Sequence, residues 1–164
     1  MITTGCGDGG KSCIVGQSGI SKSDLLFEVL GTIDELSAFL GLAKYESDSP
    51  VKESLEEIQN ELLKAAGNIA CGCDFDFEKG VSDIEKNMQT YNPDKVCPNK
   101  LVLYGETKSG AFIDVARAVA RRLERLIVRF FESGRTTAGV VAYFNRMSDY
   151  LFVMARFAEK GGNL

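Results

Sequence analysis

The sequence predicts an all-α fold, a single bundle of four long helices and a short one. Three observations predict it. Four long stretches repeat apolar residues at steps of three and four, which gives each one buried helical face. Capping and stop residues bracket these stretches. No alternation of strand and helix patterns runs through the chain, and neither an internal repeat nor a low-complexity linker interrupts it. The 164 residues, 45% of them apolar, suffice for one domain with a real core. Residues 1–164 therefore read as one helical domain that opens with a Gly-rich loop over 1–20.

Composition excludes several function classes. The net charge of −4 leaves no general nucleic-acid footprint, so any anion site must be local. No run approaches the length of a membrane span. The N-terminus MITTGCGDGG has no basic n-region and no apolar h-region, so a cytoplasmic location is the expectation. Five cysteines (Cys6, Cys13, Cys71, Cys73, Cys97) form no CxxC pair and are expected to be reduced thiols. Cys71-x-Cys73 is the one spacing suited to a soft metal; free cysteines are the plainer reading. Histidine is absent, which excludes His-based triads, most zinc enzymes and His ligation of haem or cobalt.

The elements follow in order. Gly5 to Ser12 matches the phosphate-loop pattern GxxxxGK[ST], but only four residues precede it, too few for the core strand that motif needs. A Gly-rich loop bearing Lys11 and Ser12 can still wrap phosphates with its backbone; an unstructured terminus is the alternative. Ser21 to Asp24 supplies cap chemistry for a helix reaching about Glu46, with Leu26, Val29 or Leu30, Ile33, Leu36 and Leu40 inward. Gly31 and a Thr32-x-x-Glu35 box mark a break within it. Asp34 lies close to the apolar stripe and wants a partner, an arginine of the central helix or solvent. Pro50 opens a second helix over residues 51 to about 70, with Val51, Leu55, Ile58, Leu62 and Ile69 inward. Residues 71–80 read as a loop, Ser82 to Gln89 as a short helix, Tyr91 to Pro98 as irregular, and Leu101 to Tyr104 as briefly extended. A last helix from about Thr137 to Glu159 turns Val140, Phe144, Met147, Leu151, Met154 and Ala158 inward and stops at Gly161-Gly162. Asn145, Asp149 and Arg156 form its polar row.

Between these lies the central helix, Gly110 to Phe131. Its apolar row is read as Phe112, Val115, Val119, Leu123, Leu126 and Phe130. Arg117, Arg121 and Glu124 fall on one side at i, i+4, i+7. Arg122, Arg125 and Arg129 make a neighbouring basic row. Guanidinium suits a bidentate grip on phosphate or carboxylate; a solvated face of ion pairs is the bland alternative.

Three blocks resemble the propanediol-utilisation-type ATP:cob(I)alamin adenosyltransferases. They are Thr4-x-x-Gly7-Asp8-x-Gly10-x-Ser12 with Lys22-x-Asp24; Gly31-Thr-Ile-Asp34-Glu-Leu-Ser37; and Arg117-x-x-x-Arg121-Arg-x-Glu124-Arg125 followed by Asn145-Arg-Met-Ser-Asp149. Their order and spacing hold across nearly the whole chain. The resemblance implies a five-helix bundle with ferritin-like up-and-down packing, assembled as a homotrimer with ATP and corrinoid where two subunits meet. It implies that Thr4, Gly7, Asp8, Gly10, Lys11 and Ser12 wrap the triphosphate. Lys22, Arg121, Glu124 and Asn145 would also contact ATP, with its magnesium near Glu124. Arg117 would pair with Asp34 across the interface. Leu101 and Asp149 would lie on the corrinoid side, Asp149 helping to hold Arg121. Catalysis would rest on Arg121, Arg117 and Asp34.

The implied reaction moves the 5′-deoxyadenosyl group of ATP to cob(I)alamin and releases triphosphate. Reduced cobalt is the nucleophile, so no protein base is required and a chain without histidine suffices. Its partners would be a reductase or an adenosylcobalamin-dependent enzyme. Some positions depart from the family pattern. Leu101 stands where a Phe closes the lower corrin face, unless Tyr104 or Phe112 takes over; Glu106 replaces a Gly, Asp114 a His, and Gly5 a basic residue. These departures fall mostly on the corrinoid side. The alternative they favour is a weakly catalytic or non-catalytic relative that binds ATP or adenosylcobalamin as sensor or carrier.

Overall fold

In the computed structural model, residues 5, 7–92 and 101–161 are described. Thr4, Cys6, Cys97, Gly162 and most of the expected irregular stretch before Pro98 lie outside them. Five helices and one small hairpin make up the regular structure. The hairpin, β1 (Lys11–Ile14) and β2 (Gln17–Ser21), occupies the stretch expected to be loop. Its two strands are antiparallel, with Lys11 opposite Ser21 and Ser12 opposite Ile20. Residues in β1 alternate between exposed and half-buried, the period-two pattern of a strand. A two-residue connection at Val15-Gly16 joins them, with Gly16 at φ 81° where a side chain would be strained. No helix follows Ser12, so the phosphate-loop pattern is not a phosphate-loop fold.

Helix α1 runs unbroken from Leu25 to Tyr45. Asp24 caps it, its carboxylate accepting from the Leu26 N–H at 2.8 Å. The expected break at Gly31 is absent. Thr32 sits inside the helix and its hydroxyl donates to the Glu28 carbonyl at 2.7 Å, so it is no cap. Helix α2 spans Val51–Cys71 and ends on Gly72 in the left-handed region at φ 71°. Helix α3, Phe77–Tyr91, starts five residues earlier than its apolar pattern suggests, because Asp76 caps the Lys79 N–H at 2.9 Å. Gly80 lets α3 close on α5; a Cβ there would lie 2.8 Å from the Tyr143 ring. Leu101 to Gly105 is irregular and exposed apart from half-buried Val102. Helix α4 spans Lys108–Glu132 behind a Thr107 cap, and α5 spans Ala138–Glu159.

The helices pack in the spatial order α2, α1, α4, α5, α3. The central pair α4 and α5 thus sits at the middle of the bundle. The inward rows expected for α1, α2 and α5 are buried, apart from half-buried Ile69 and Ala158. For α4 the row is corrected. Val119, Leu123 and Phe130 of the expected row are buried, and Ile113, Ala116, Ala120 and Ile127 complete the core face. Phe112 and Leu126 are half-buried, and Val115 is exposed. Two apolar stripes run along α4, and the one with small alanines wins the core because it lets two helices approach closely. Each large aliphatic side chain so buried contributes about 1.5–3 kcal/mol. No helix among the described residues is long and apolar enough to cross a membrane.

Candidate functional site

The hairpin folds the Gly-rich loop back on itself. Its base is closed by the Lys22 N–H donating to the Gly10 carbonyl at 2.9 Å. Two tight turns precede it, Asp8 N–H to Gly5 carbonyl and Gly10 N–H to Gly7 carbonyl, each at 3.2 Å. The Lys22 ammonium lies directly over Gly7, where a Cβ would stand 2.7 Å from Nζ. Any residue but glycine at 7 would push that lysine away. The loop therefore gathers Gly7, Gly10, Lys11, Ser12 and Lys22 into one backbone-rich, cationic cluster. Two lysines on a glycine-rich backbone are a donor set that can take phosphate. Asp8 is exposed beside it, and Thr4 lies outside the described residues.

Directly after the cluster, Asp24 anchors the loop to the bundle. Its carboxylate also pairs with Arg135 at 2.8 Å, beyond the end of α4. The Arg135 hydrogen bond and the Leu26 N–H hold the Asp24 carboxyl below the usual range. The loop is thus tied to the end of the bundle where α1 starts and α4 ends.

On α4 the arginines divide sharply. Arg122 pairs with Glu35, and Arg129 with Glu28 at 3.5 Å. These two staple α4 to α1, and the bland reading of the basic row holds for them. Arg125 donates to the Arg121 carbonyl at 2.9 Å. Arg121 itself is exposed, and its guanidinium has no partner among the described residues. One turn further, Glu124 is half-buried and accepts from Asn145 Nδ2 of α5 at 2.8 Å. That bond fixes one carboxylate oxygen and leaves the other for a ligand. Arg121, Glu124 and Asn145 are brought to one stretch of the α4–α5 surface.

Within one chain Arg117 already has a partner. Its Nε donates to Asp114 at 2.8 Å, while Asp34 is exposed and unpaired among the described residues. Asp149 likewise holds Arg146 at 3.1 Å rather than Arg121. Asp114, 4% exposed at its side chain, also binds Arg156, which reaches Glu159 in turn. Both guanidiniums stack on Tyr104, at 4.8 Å for Arg117 and 5.4 Å for Arg156. This network was missed from sequence. The signal was present in the i, i+3 pairs Asp114–Arg117 and Arg156–Glu159. It pins the segment before α4, where Leu101 and Leu103 are left fully open to solvent.

Of the expected nucleotide residues that are described, Asp8, Gly10, Lys11, Lys22 and Arg121 are exposed and Gly7, Ser12, Glu124 and Asn145 half-buried. A cleft of about 400 Å³ lined by Ser47, Asp48, Thr107 and Ser109 is at the other end of the bundle and holds none of them.

Comparison with known proteins gives this surface a context. The family model described as cobalamin adenosyltransferase matches residues 2–158. The chain is 36% identical to a corrinoid adenosyltransferase of Bacillus subtilis, covering 94% of this chain and 84% of that one. It is 35% identical to one from Bos taurus, covering 99% and 73%. A variant of the PduO-type ATP:corrinoid adenosyltransferase from Lactobacillus reuteri, complexed with cobalamin and ATP, superposes with a TM-score of 0.90. That pair is 29% identical, with 98% and 94% of the chains covered. The matched span takes in both the lysine-bearing hairpin and the Glu124–Asn145 pair, and the chain belongs to the cobalamin adenosyltransferase family.

Proposed function

We propose that this chain binds ATP and a corrinoid and transfers the 5′-deoxyadenosyl group of ATP to the reduced cobalt. The electron pair of the cobalt forms the Co–C bond to C5′. The C5′–O bond breaks and its pair leaves with triphosphate. Nothing must lose a proton, so the protein's task is to place C5′ in line and to stabilise the departing charge. The observation that carries this reading is the unpaired guanidinium of Arg121 beside the Glu124–Asn145 pair, in a family whose members are named for this transfer. Arg121 would bind the leaving oxygens. The cluster of Gly7, Gly10, Lys11, Ser12 and Lys22 would wrap the rest of the chain of phosphates, with Thr4 and Asp8 at its edge.

Magnesium accompanying ATP fits this donor set in one place. The free carboxylate oxygen of Glu124 is a hard ligand, and an Mg²⁺ ion needs only one or two carboxylates beside phosphate oxygens. When bound it would supply further charge neutralisation at the phosphates. On the corrinoid side, Leu101, Leu103 and Tyr104 would form an apolar wall that keeps water from the cobalt, with Asp149 near by.

The site is open in a single chain, and a second copy would close it. A homotrimer fits this need. Arg117 commits only its Nε to Asp114, so its two terminal nitrogens are left for Asp34 of another subunit. A reductase that supplies the low-valent cobalt, or an enzyme that consumes the product, would be the further partner.

The test is anaerobic incubation with chemically reduced cobalamin and MgATP, followed by visible spectroscopy and phosphorus NMR. Adenosylcobalamin and triphosphate should appear together. ATP binding without either product would overturn the transfer and favour a sensor or carrier.

A further inference from the structure

Cys71 and Cys73 lie outside everything described so far. Cys71 ends α2, and Gly72 reverses the chain in the left-handed region, so Cys73 returns beside the last turn. The turn is well tied. Gly72 N–H donates to the Asn68 carbonyl at 2.8 Å, and Asn68 Nδ2 donates to the Cys73 carbonyl at 2.6 Å. The Cys71 thiol also donates to the Gly67 carbonyl at 3.1 Å. The outcome is two sulfurs 3.3 Å apart. Both residues are exposed, so neither serves as core filling. A disulfide needs about 2.05 Å between sulfurs, so a side-chain adjustment of little more than 1 Å would close the ring.

We propose that Cys71 and Cys73 form a reversible dithiol–disulfide couple, a modification site whose reaction partner is a low-molecular-weight disulfide. The Cys71 thiolate attacks one sulfur of the external disulfide, whose S–S bond breaks and releases one thiolate. Cys73 then attacks the Cys71 sulfur of the mixed disulfide and expels the second thiolate. Two cysteine thiols lose two electrons, and one external disulfide gains them as two thiols. The two cysteine protons pass to those products. The neighbouring Cys71 sulfur, by hydrogen bond and charge, holds the Cys73 thiol above its ordinary value. With Cys71 capped by the external group that charge is absent, and the Cys73 sulfur stands beside the one it attacks.

The experiment equilibrates the full-length protein in buffers of oxidised and reduced glutathione, blocks remaining thiols by alkylation and digests with trypsin. Lys64 and Lys79 flank both cysteines, so one peptide, residues 65–79, carries the pair. Expected is that peptide two hydrogens lighter and unalkylated, returning to the dialkylated form as reduced glutathione rises. Its midpoint should follow the square of reduced glutathione over oxidised, as a ring does and a mixed disulfide does not. Cys73→Ser should instead carry one glutathione on Cys71. Wild-type peptide that stays dialkylated throughout, accumulates glutathione adducts, or crosslinks to Cys6, Cys13 or Cys97 would overturn the proposal.

Discussion

The guanidinium of Arg121 stands apart from most of its neighbours on α4 because no carboxylate among the described residues claims it. An exposed, unpaired guanidinium needs no ion pair broken before it binds a leaving group. Arg121→Ala should therefore lower kcat by about 10²–10³-fold, the usual loss for one donor to developing charge. The melting temperature should hardly move, since the side chain touches nothing that folding needs. Steady-state kinetics beside a thermal melt separates the two, and wild-type kcat would remove Arg121 from the reaction. Asp114 is the opposite kind of residue. It neutralises both Arg117 and Arg156 in a mostly buried network. Asp114→Asn should cost about 3 kcal/mol, because it strands the desolvated Arg117 and leaves Arg156 with Glu159 alone. Denaturant titration would read this as a lower midpoint. Spacing alone put Arg121 and Glu124 on one side of α4; Asn145 came in through the family resemblance, and its bond to Glu124 joins it to them. The Asp114–Arg117 pair was legible as an i, i+3 spacing and went unread, whereas the bond from Arg156 to Asp114 depends on another helix.

At the scale of elements, capping decides where helices begin, and capping was also where the sequence was read unevenly. The start of α1 was located within Ser21 to Asp24, which precedes a long apolar row, and of the candidate caps there Asp24 takes the role. Asp76 was not, because the five residues after it show little periodicity; the start of α3 rests on a side-chain bond and on the fit of Gly80 against Tyr143. The hairpin was missed for a related reason. Gly16 and Gly19 looked like disorder, whereas one of them serves the turn. Thr107 offers a direct check on this scale. Its hydroxyl accepts from the Gly110 N–H at 3.0 Å, so Thr107→Ala should destabilise the protein by about 1 kcal/mol, visible in equilibrium unfolding. Acid should loosen the loop end of the bundle in a defined direction. The folded Asp24 carboxyl is held below its ordinary value by Arg135 and the Leu26 N–H. Its contribution is whole above the ordinary carboxylate value and is lost as pH falls through the lowered one. Asp24→Asn should flatten that part of the acid transition, and an unchanged slope would remove Asp24 from it.

At the scale of the molecule, the bundle presents its chemistry outward. The cationic hairpin, Arg121 and the exposed Asp34 all face solvent, while the cleft of notable size at the far end holds none of them. A reaction that must exclude water from cobalt needs more than an open face, and in the proposed homotrimer a neighbouring copy would supply the missing wall. Asp34 is the residue that tests this. Among the described residues it lies exposed on α1 with no partner, and the two terminal nitrogens of Arg117 are unspent. Light scattering should give three chains per particle for the wild type. Asp34→Lys would set a cation against Arg117 at each interface, so that variant should run as a smaller species. Its helical circular dichroism should survive, because within one chain Asp34 holds nothing together. Adenosyl transfer should fall in proportion to the trimer lost and recover partly at high protein concentration. A trimeric, fully active Asp34→Lys would show that the subunits meet through some other face, and that Arg117 is spent wholly on holding Asp114 and Tyr104 in place.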